Sequence, residues 1–154
     1  MFSLYLAHSI TGLTGKDVLD YYKTMKMKLN GKFDVLSPMS GKEYLRTDKK
    51  IKAADHTNPV STNHAIFERD MWMVSQADIV LVDLSNVLVG VSIGCVMELA
   101  VASYLRKHTI VVISKDNECL NHAFVFEAAD ILFNNLDSAL DYLDDLSNEV
   151  DCGY

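Results

Sequence analysis

Asp78-Ile79-Val80-Leu81-Val82-Asp83-Leu84, a short loop, and then Ser92-Ile93-Gly94-Cys95-Val96-Met97-Glu98-Leu99-Ala100 decide the fold. The first run is apolar and reads as a buried strand. The second opens a helix that carries one carboxylate in otherwise apolar company. A strand, a loop with a small polar residue and a glycine, and a helix with a lone acid form the unit in which an open α/β sheet presents a reactive group. Ligands in such sheets sit at the carboxyl ends of the strands. Helix N-termini supply free backbone N–H groups and a positive dipole end for an anion. Ser92 therefore marks the helix mouth, and Glu98 points back toward it.

The flanking sequence repeats this alternation. Residues 2–7 form a short apolar run, a buried strand, followed by the loop 8–15. Residues 17–29 have helical spacing, with Val18, Tyr21, Tyr22, Met25 and Leu29 on one side and lysines on the other. Asn30-Gly31 stops that helix, and residues 33–36 are a second strand, ended by Ser37-Pro38. Residues 39–60 are the least regular part, with Gly41, Pro59 and the basic cluster Lys49-Lys50-Lys52. A loop this long in a compact domain is functional or mobile. Ser61 or Thr62 caps a helix that runs to Gln76. The central strand at 79–84 and a helix from 93 to 106 follow, with Arg106-Lys107 suited to the negative helix end. Further on come a β-branched strand at 109–114, a loop and short helix at 119–129, a strand at 131–133 and a helix at 137–146. The spacing predicts a three-layer α/β fold with a five-stranded parallel sheet in flavodoxin-like (Rossmann-like) order 2-1-3-4-5 and right-handed crossovers.

Composition narrows the function classes. The 154 residues fit one domain, 1–154, with a real core. A net charge of −7 speaks against nucleic acid or a membrane surface as partner, while a local pocket of donors still allows a small anionic ligand. The cysteines, Cys95, Cys119 and Cys152, are odd in number and show no CxxC spacing. That argues against a disulfide framework or zinc site and fits a reducing cytosol. The N-terminal run reads as a strand rather than a signal peptide, and no stretch is long enough to span a bilayer. The expected location is cytoplasmic. The five histidines are scattered without metal-ligand spacing.

Among candidate residues Glu98 comes first, because an isolated acid among apolar neighbours is costly to bury without a purpose. Its rival reading is an acid paired with an arginine or at a solvated helix edge. Asp70, inside a helix, reads on its own as a solvated residue. Asp78 fits a strand entry; Asp83, at a strand's carboxyl end, is the more interesting of the two. The loop Ser9-Ile10-Thr11-Gly12 allows close backbone approach and offers hydroxyls to an anion, but the following Thr14-Gly15-Lys16-Asp17 does not have the P-loop pattern. His122 has the bland reading of a surface histidine, and Tyr5 that of a core residue.

Together these pieces resemble the nucleoside 2-deoxyribosyltransferase superfamily, which also includes hydrolases of nucleoside 5′-monophosphates. The resemblance is carried by Tyr5-Leu6-Ala7-His8-Ser9-Ile10-Thr11-Gly12, by Arg69-Asp70 followed by Ala77-Asp78-Ile79-Val80-Leu81, by Ser92 to Ala100, and by Asn121-His122-Ala123-Phe124. It implies that Glu98 is the nucleophile that attacks the anomeric carbon. Asp70 would work beside the base and sugar, and Tyr5 would touch the nucleophile. It also implies that the late loop, with His122 and Phe124, closes the site of a neighbouring subunit, hence a homodimer or larger even assembly with shared active sites. The transferases resemble Asp-x-Gly-x-x-x-Glu; here the Asp position is Ser92, as in the monophosphate hydrolases, ahead of Gly94. An Asp would repel a 5′-phosphate, whereas a serine hydroxyl beside helix N–H groups donates to it. Ser9, Ile10, Thr11 and Gly12 match that branch's phosphate loop, with Thr11 where the branch often has Arg; Lys16 or His122 would then supply the charge.

The implied chemistry parallels a retaining glycosidase. A carboxylate attacks C1′, the base leaves, and water resolves the ester, with no metal or redox cofactor. The expected partner is a small nucleoside or nucleotide. The leading expectation is a hydrolase of (deoxy)nucleoside 5′-monophosphates. Its rivals are a deoxyribosyltransferase on free nucleosides and a non-catalytic nucleotide-binding module.

Overall fold

All five residues of Ile79–Asp83 are buried, which is what a near-continuous apolar strand requires: cover on both faces. The cover is visible in the computed structural model, which describes residues 1–52, 57–86 and 90–150. The strands β1 (Phe2–His8), β2 (Phe33–Leu36), β3 (Ile79–Asp83), β4 (His108–Val112) and β5 (Ile131–Phe133) form one parallel sheet in the order β2-β1-β3-β4-β5. This is the flavodoxin-like order read from the sequence.

Alternate residues of each strand feed two cores. Leu4, Leu6, Ile79, Leu81, Ile110 and Val112 pack on one face against α1 (Gly15–Leu29) and α5 (Leu136–Val150). Tyr5, Ala7, Val80, Val82, Val111 and Ile113 pack on the other, against α2 (Asn63–Gln76), α3 (Ile93–Tyr104) and α4 (Ala123–Ala128). Tyr5 and the acid-bearing helix α3 thus share one side of the sheet.

Boundaries differ from the sequence reading where caps decide them. Helix α1 begins two residues early because the Thr14 hydroxyl accepts from the Asp17 N–H at 3.1 Å. Thr62, not Ser61, caps α2, accepting from the Ala65 N–H at 3.2 Å. Ser61 is buried and bonded to the Tyr44 hydroxyl. Helix α3 ends at Tyr104 because Arg106 turns left-handed (φ 59°), which lets the N–H groups of Arg106 and Lys107 reach the carbonyls of Ser103 and Ala102. Trp72 is exposed, while its neighbours Met73 and Val74 carry the core contact of α2.

The irregular stretch after β2 is held onto the loop that follows β1. A 3-10 helix, Glu43–Thr47, buries Leu45, whose carbonyl lies so close to Gly15 that a Cβ there would overlap it, at 1.6 Å. Three backbone hydrogen bonds complete the seam: Gly12 N–H to the Ile51 carbonyl, Ile51 N–H to Leu13, and Gly15 N–H to Asp48. Residues 53–56, part of the stretch expected to be functional or mobile, lie outside the described residues, as does Cys152. Cys95 and Cys119 are free thiols. No helix among the described residues is long and apolar enough to cross a membrane. Among them, no cluster of His, Cys, Asp and Glu could hold a metal ion.

Candidate active site

The chain runs from β1 to β2 on one side and then crosses to β3 on the other, so a crevice opens between the carboxyl ends of β1 and β3. His8 lies in register with Asp83, which sets the two strand ends level. The cleft there measures about 1230 Å³. His8 at the end of β1 and Ser9, Ile10 and Thr11 of the loop after it line the cleft, with Ile66 and Asp70 from α2, Ser92 at the cap of α3, and Gly94 and Glu98 from α3. Pro38, Lys42, Leu45 and residues 47–52 form its roof.

At the base of the cleft the Tyr5 hydroxyl donates to Glu98 Oε1 at 2.7 Å. Strand β1 supplies one partner and α3 the other, ninety-three positions apart in sequence. Tyr5 is fully buried, and a buried tyrosine needs a partner for its hydroxyl. Its bond leaves Glu98 Oε2 without a hydrogen bond among the described residues. Asp70 is also buried, and Arg69 holds it with Nε and Nη2 at 3.2 and 3.1 Å from Oδ1. The same guanidinium donates to the Pro38 carbonyl at 2.6 Å, tying α2 to the roof. The structure therefore brings together Tyr5, Asp70 and Glu98, with Arg69 positioning the second acid.

Burial sets the electrostatics. It lifts Glu98 from 4.5 to about 8, reinforced by the charge of Asp70 and opposed by the Tyr5 hydrogen bond and the charge of Lys42. Burial also raises Asp70, against the pull of Lys42 and Arg69. Tyr5 is pushed well above 10.0, first by burial and then by Glu98, so it stays a donor. Burial pushes the Cys95 thiol up to about 12, which removes it as a rival nucleophile. A carboxylate with one oxygen fixed and one free, short of solvent, can attack an electron-poor carbon; a second acid nearby can engage the departing group.

Replacing Tyr5 with Phe is expected to lower kcat/KM about 10–100-fold, the equivalent of one hydrogen bond to a charged group, roughly 1.5–3 kcal/mol. The acid limb of the pH–rate profile should move to higher pH, because this hydrogen bond is the largest influence holding Glu98 down. An acid limb that stays in place would take Tyr5 out of that role.

The rim above Glu98 is polar. Ser9 is buried and Thr11 exposed, and both line the cleft with Ser92 and Gly94. Ser92 caps α3, its hydroxyl accepting from the Cys95 N–H at 3.4 Å. Ile10 lines the wall and leans on the core. Gly12 takes φ 90° and serves as the turn that meets Ile51 rather than as wall. The expected cation at Lys16 is misplaced: Lys16 pairs with Asp20 at 2.7 Å on the outer face of α1, outside the cleft lining. Lys49, Lys50 and Lys52 line the rim instead, beside Asp48. His122 and Phe124 are exposed at the start of α4 and do not line the cleft of their own chain.

The sequence matches the family described as Nucleoside 2-deoxyribosyltransferase over residues 4–149. The chain belongs to that family. Solved structures with the same fold as this deoxyribosyltransferase-family chain include the CMP N-glycosidase BcmB of Clostridium botulinum, 15% identical with a TM-score of 0.56, covering 92% of this chain and 97% of that one. A conserved protein of Enterococcus faecalis V583 is 14% identical with a TM-score of 0.65, covering 95% and 99%. The 2-desoxiribosyltransferase of Leishmania mexicana is 16% identical with a TM-score of 0.58, covering 94% and 98%. A comparison with curated protein sequences gives no match. Family membership supports glycosyl-group chemistry on nucleosides.

Two features of this family member escape sequence reasoning. Lys42 is buried and lines the cleft with Asp70 and Glu98, yet it comes from an irregular loop without periodicity to mark it. His8 stacks on Tyr21 with ring centroids 3.8 Å apart, and the Tyr21 hydroxyl donates to Asp83 Oδ2 at 2.8 Å. Asp83 also accepts from the Ser85 N–H and hydroxyl, at 2.9 and 2.5 Å, so it braces the end of β3. Burial lowers the His8 pKa despite Asp83, which favours a neutral ring at the cleft wall. Asp78 binds the Ser3 N–H and hydroxyl, both at 2.8 Å, as a strand-entry residue should.

Proposed function

We propose that the chain cleaves the N-glycosidic bond of (deoxy)nucleoside 5′-monophosphates through a covalent glycosyl–Glu98 ester. Glu98 Oε2 attacks C1′ while Tyr5 holds Oε1. Asp70, fixed by Arg69, holds or protonates the leaving base, and water releases the sugar phosphate. The observation that carries the monophosphate reading is the rim. Ser9, Thr11 and Ser92 put hydroxyls beside the N-terminus of α3, and within residues 47–52 of the same cleft lining three lysines stand against one acid, Asp48. Helix N–H groups, hydroxyls and cations together suit a phosphate. A neighbour of the same fold is named a CMP N-glycosidase, in keeping with that reading.

A second reading, base exchange on free deoxynucleosides, is favoured by the family's own description and by the threonine at position 11. We also propose that His122 and Phe124 complete the site of a second copy. Helices α2, α3 and α4 pack side by side and expose Phe67, Ile93, Met97, Phe124 and Phe126, more apolar surface than a lone helix layer usually shows. Incubation with a panel of nucleoside monophosphates and nucleosides, with and without an acceptor base, tests both activities. Base release from monophosphates is the expected result; release from nucleosides alone, or exchange without net hydrolysis, would overturn the first reading. Sedimentation during the same assay checks the assembly, and a strictly monomeric, fully active protein contradicts it.

A further inference from the structure

Lys42 follows Gly41, whose φ of +78° turns the chain into the roof. Its backbone is fixed on both sides, its N–H bonding the Met39 carbonyl at 3.1 Å and its carbonyl accepting from the Leu45 N–H at 3.0 Å. The side chain is 4% exposed and lines the cleft beside Asp70 and Glu98. Yet its ammonium has no hydrogen bond or ion pair among the described residues; Arg69 binds Oδ1 of Asp70 and Tyr5 binds Oε1 of Glu98 in its place. Three N–H donors and a positive charge thus reach the cleft partly desolvated and unpaired, where a ligand can supply the acceptor.

We propose that Lys42 receives the leaving nucleobase: its ammonium donates to a keto oxygen or ring nitrogen of the base and holds the negative charge that gathers there as the C1′–N bond breaks. This rests on the N-glycosidic chemistry proposed above. The geometry supports the base rather than the phosphate as its target. The bond from Arg69 to the Pro38 carbonyl ties the segment that carries Lys42 to α2, which carries Asp70, whereas the hydroxyl rim comes from the β1 loop and the mouth of α3. A ribose over Glu98 with its phosphate on that rim directs its base toward Lys42. The bond from Glu98 Oε2 to C1′ forms as the C1′–N bond breaks, and the electron pair stays on the base. The ammonium then gives the base its proton, and Asp70, of the two roles open to it, holds the base without protonating it. The water that hydrolyses the ester adds hydroxyl to C1′, restores the Glu98 carboxylate and returns a proton to the amine. Burial and the neighbouring Arg69 bring Lys42 down to about 8, close enough to neutrality for both transfers.

The test compares the parent protein with Lys42→Met, Lys42→Arg and Glu98→Gln on substrates that differ in the leaving base. The pair is the monophosphates of uracil and 5-fluorouracil, whose fluorine stabilises the departing anion. For a protein that cleaves only purines, the pair is those of guanine and 7-methylguanine, the latter leaving as a neutral base. Lys42→Met is expected to slow release of the poorer leaving group about 100-fold, the usual loss for one charge-stabilising donor, and the better one less than about tenfold. Lys42→Arg should recover part of the difference. The melting temperature of Lys42→Met should hold or rise, since an unpaired buried charge is gone. Equal slowing of both members of the pair would overturn the proposal and leave Lys42 a balancing charge. If the parent protein cleaves nothing, the activity proposed above fails separately. Titration with free uracil and free guanine then decides, with weaker binding by Lys42→Met expected and unchanged binding by that variant overturning the role.

Discussion

Glu98→Gln is expected to lose base release by about 10⁴-fold or more, the scale seen when a covalent nucleophile is removed, and to melt higher than the parent protein at pH 8. Both results come from one side chain. Glutamine keeps an oxygen for the Tyr5 hydroxyl, so the 2.7 Å contact survives the change. What is lost is the free oxygen that attacks carbon. What is gained follows from the shift of Glu98 from 4.5 to about 8. Between those two values the folded protein holds a proton that the unfolded chain has released. Stability therefore falls as pH rises across that window, by an amount on the order of a few kcal/mol once fully above it. The direction is opposite to that of a carboxylate stabilised by an ion pair. Melting temperatures at pH 5, 6.5 and 8 check it. The parent curve should decline with pH and the variant curve should be flatter, converging at the acid end. Parallel curves would mean that Glu98 is not held protonated by burial, and retained base release would remove it as nucleophile.

Ser92→Asp is the second large effect. Aspartate caps helices as well as serine does and suits the positive end of α3, so the fold should tolerate it. A 5′-phosphate on the same rim would not. Two unit charges about 4 Å apart near a protein surface repel by roughly 4 kcal/mol before screening, and a phosphate carries nearly two charges. The expected loss of kcat/KM on a monophosphate is about 100-fold or more, while the matching nucleoside changes by less than about tenfold. Paired assays on one base with and without the phosphate give the ratio directly. An equal loss on both substrates would place the phosphate away from Ser92.

The sheet was legible because a parallel sheet covered on both faces turns burial into uninterrupted apolar runs. Residues 79–83 could hardly be read otherwise, and alternation with helices implied the parallel layering; the order 2-1-3-4-5 was one of the orders that alternation allows. Glu98 was legible for the converse reason, as the one charge in an apolar helix. Asp70 was not. Helix α2 exposes Phe67 and Trp72 and buries Asp70, so its surface pattern runs against hydropathy; only the family motif singled it out. Lys42 was hidden more deeply, since its burial depends on where a 3-10 helix and a loop settle over the cleft, and no period in the sequence encodes that. The cation expected at Lys16 failed because a partner four residues on, Asp20, claims that ammonium along the helix surface. The lysines at 49–52 face the cleft through long-range backbone pairing that local spacing does not reveal.

That pairing couples the two ends of the cleft. Gly12, Gly15 and Ile51 join the loop after β1 to the lysine-bearing segment, and the contact between Gly15 and the Leu45 carbonyl allows no slack. Pressure on one strand of the seam is carried by the other, as in a clamp with a fixed pivot. A ligand that orders the loop orders the roof with it, so the conformational entropy of closing over a bound molecule is incurred once for both.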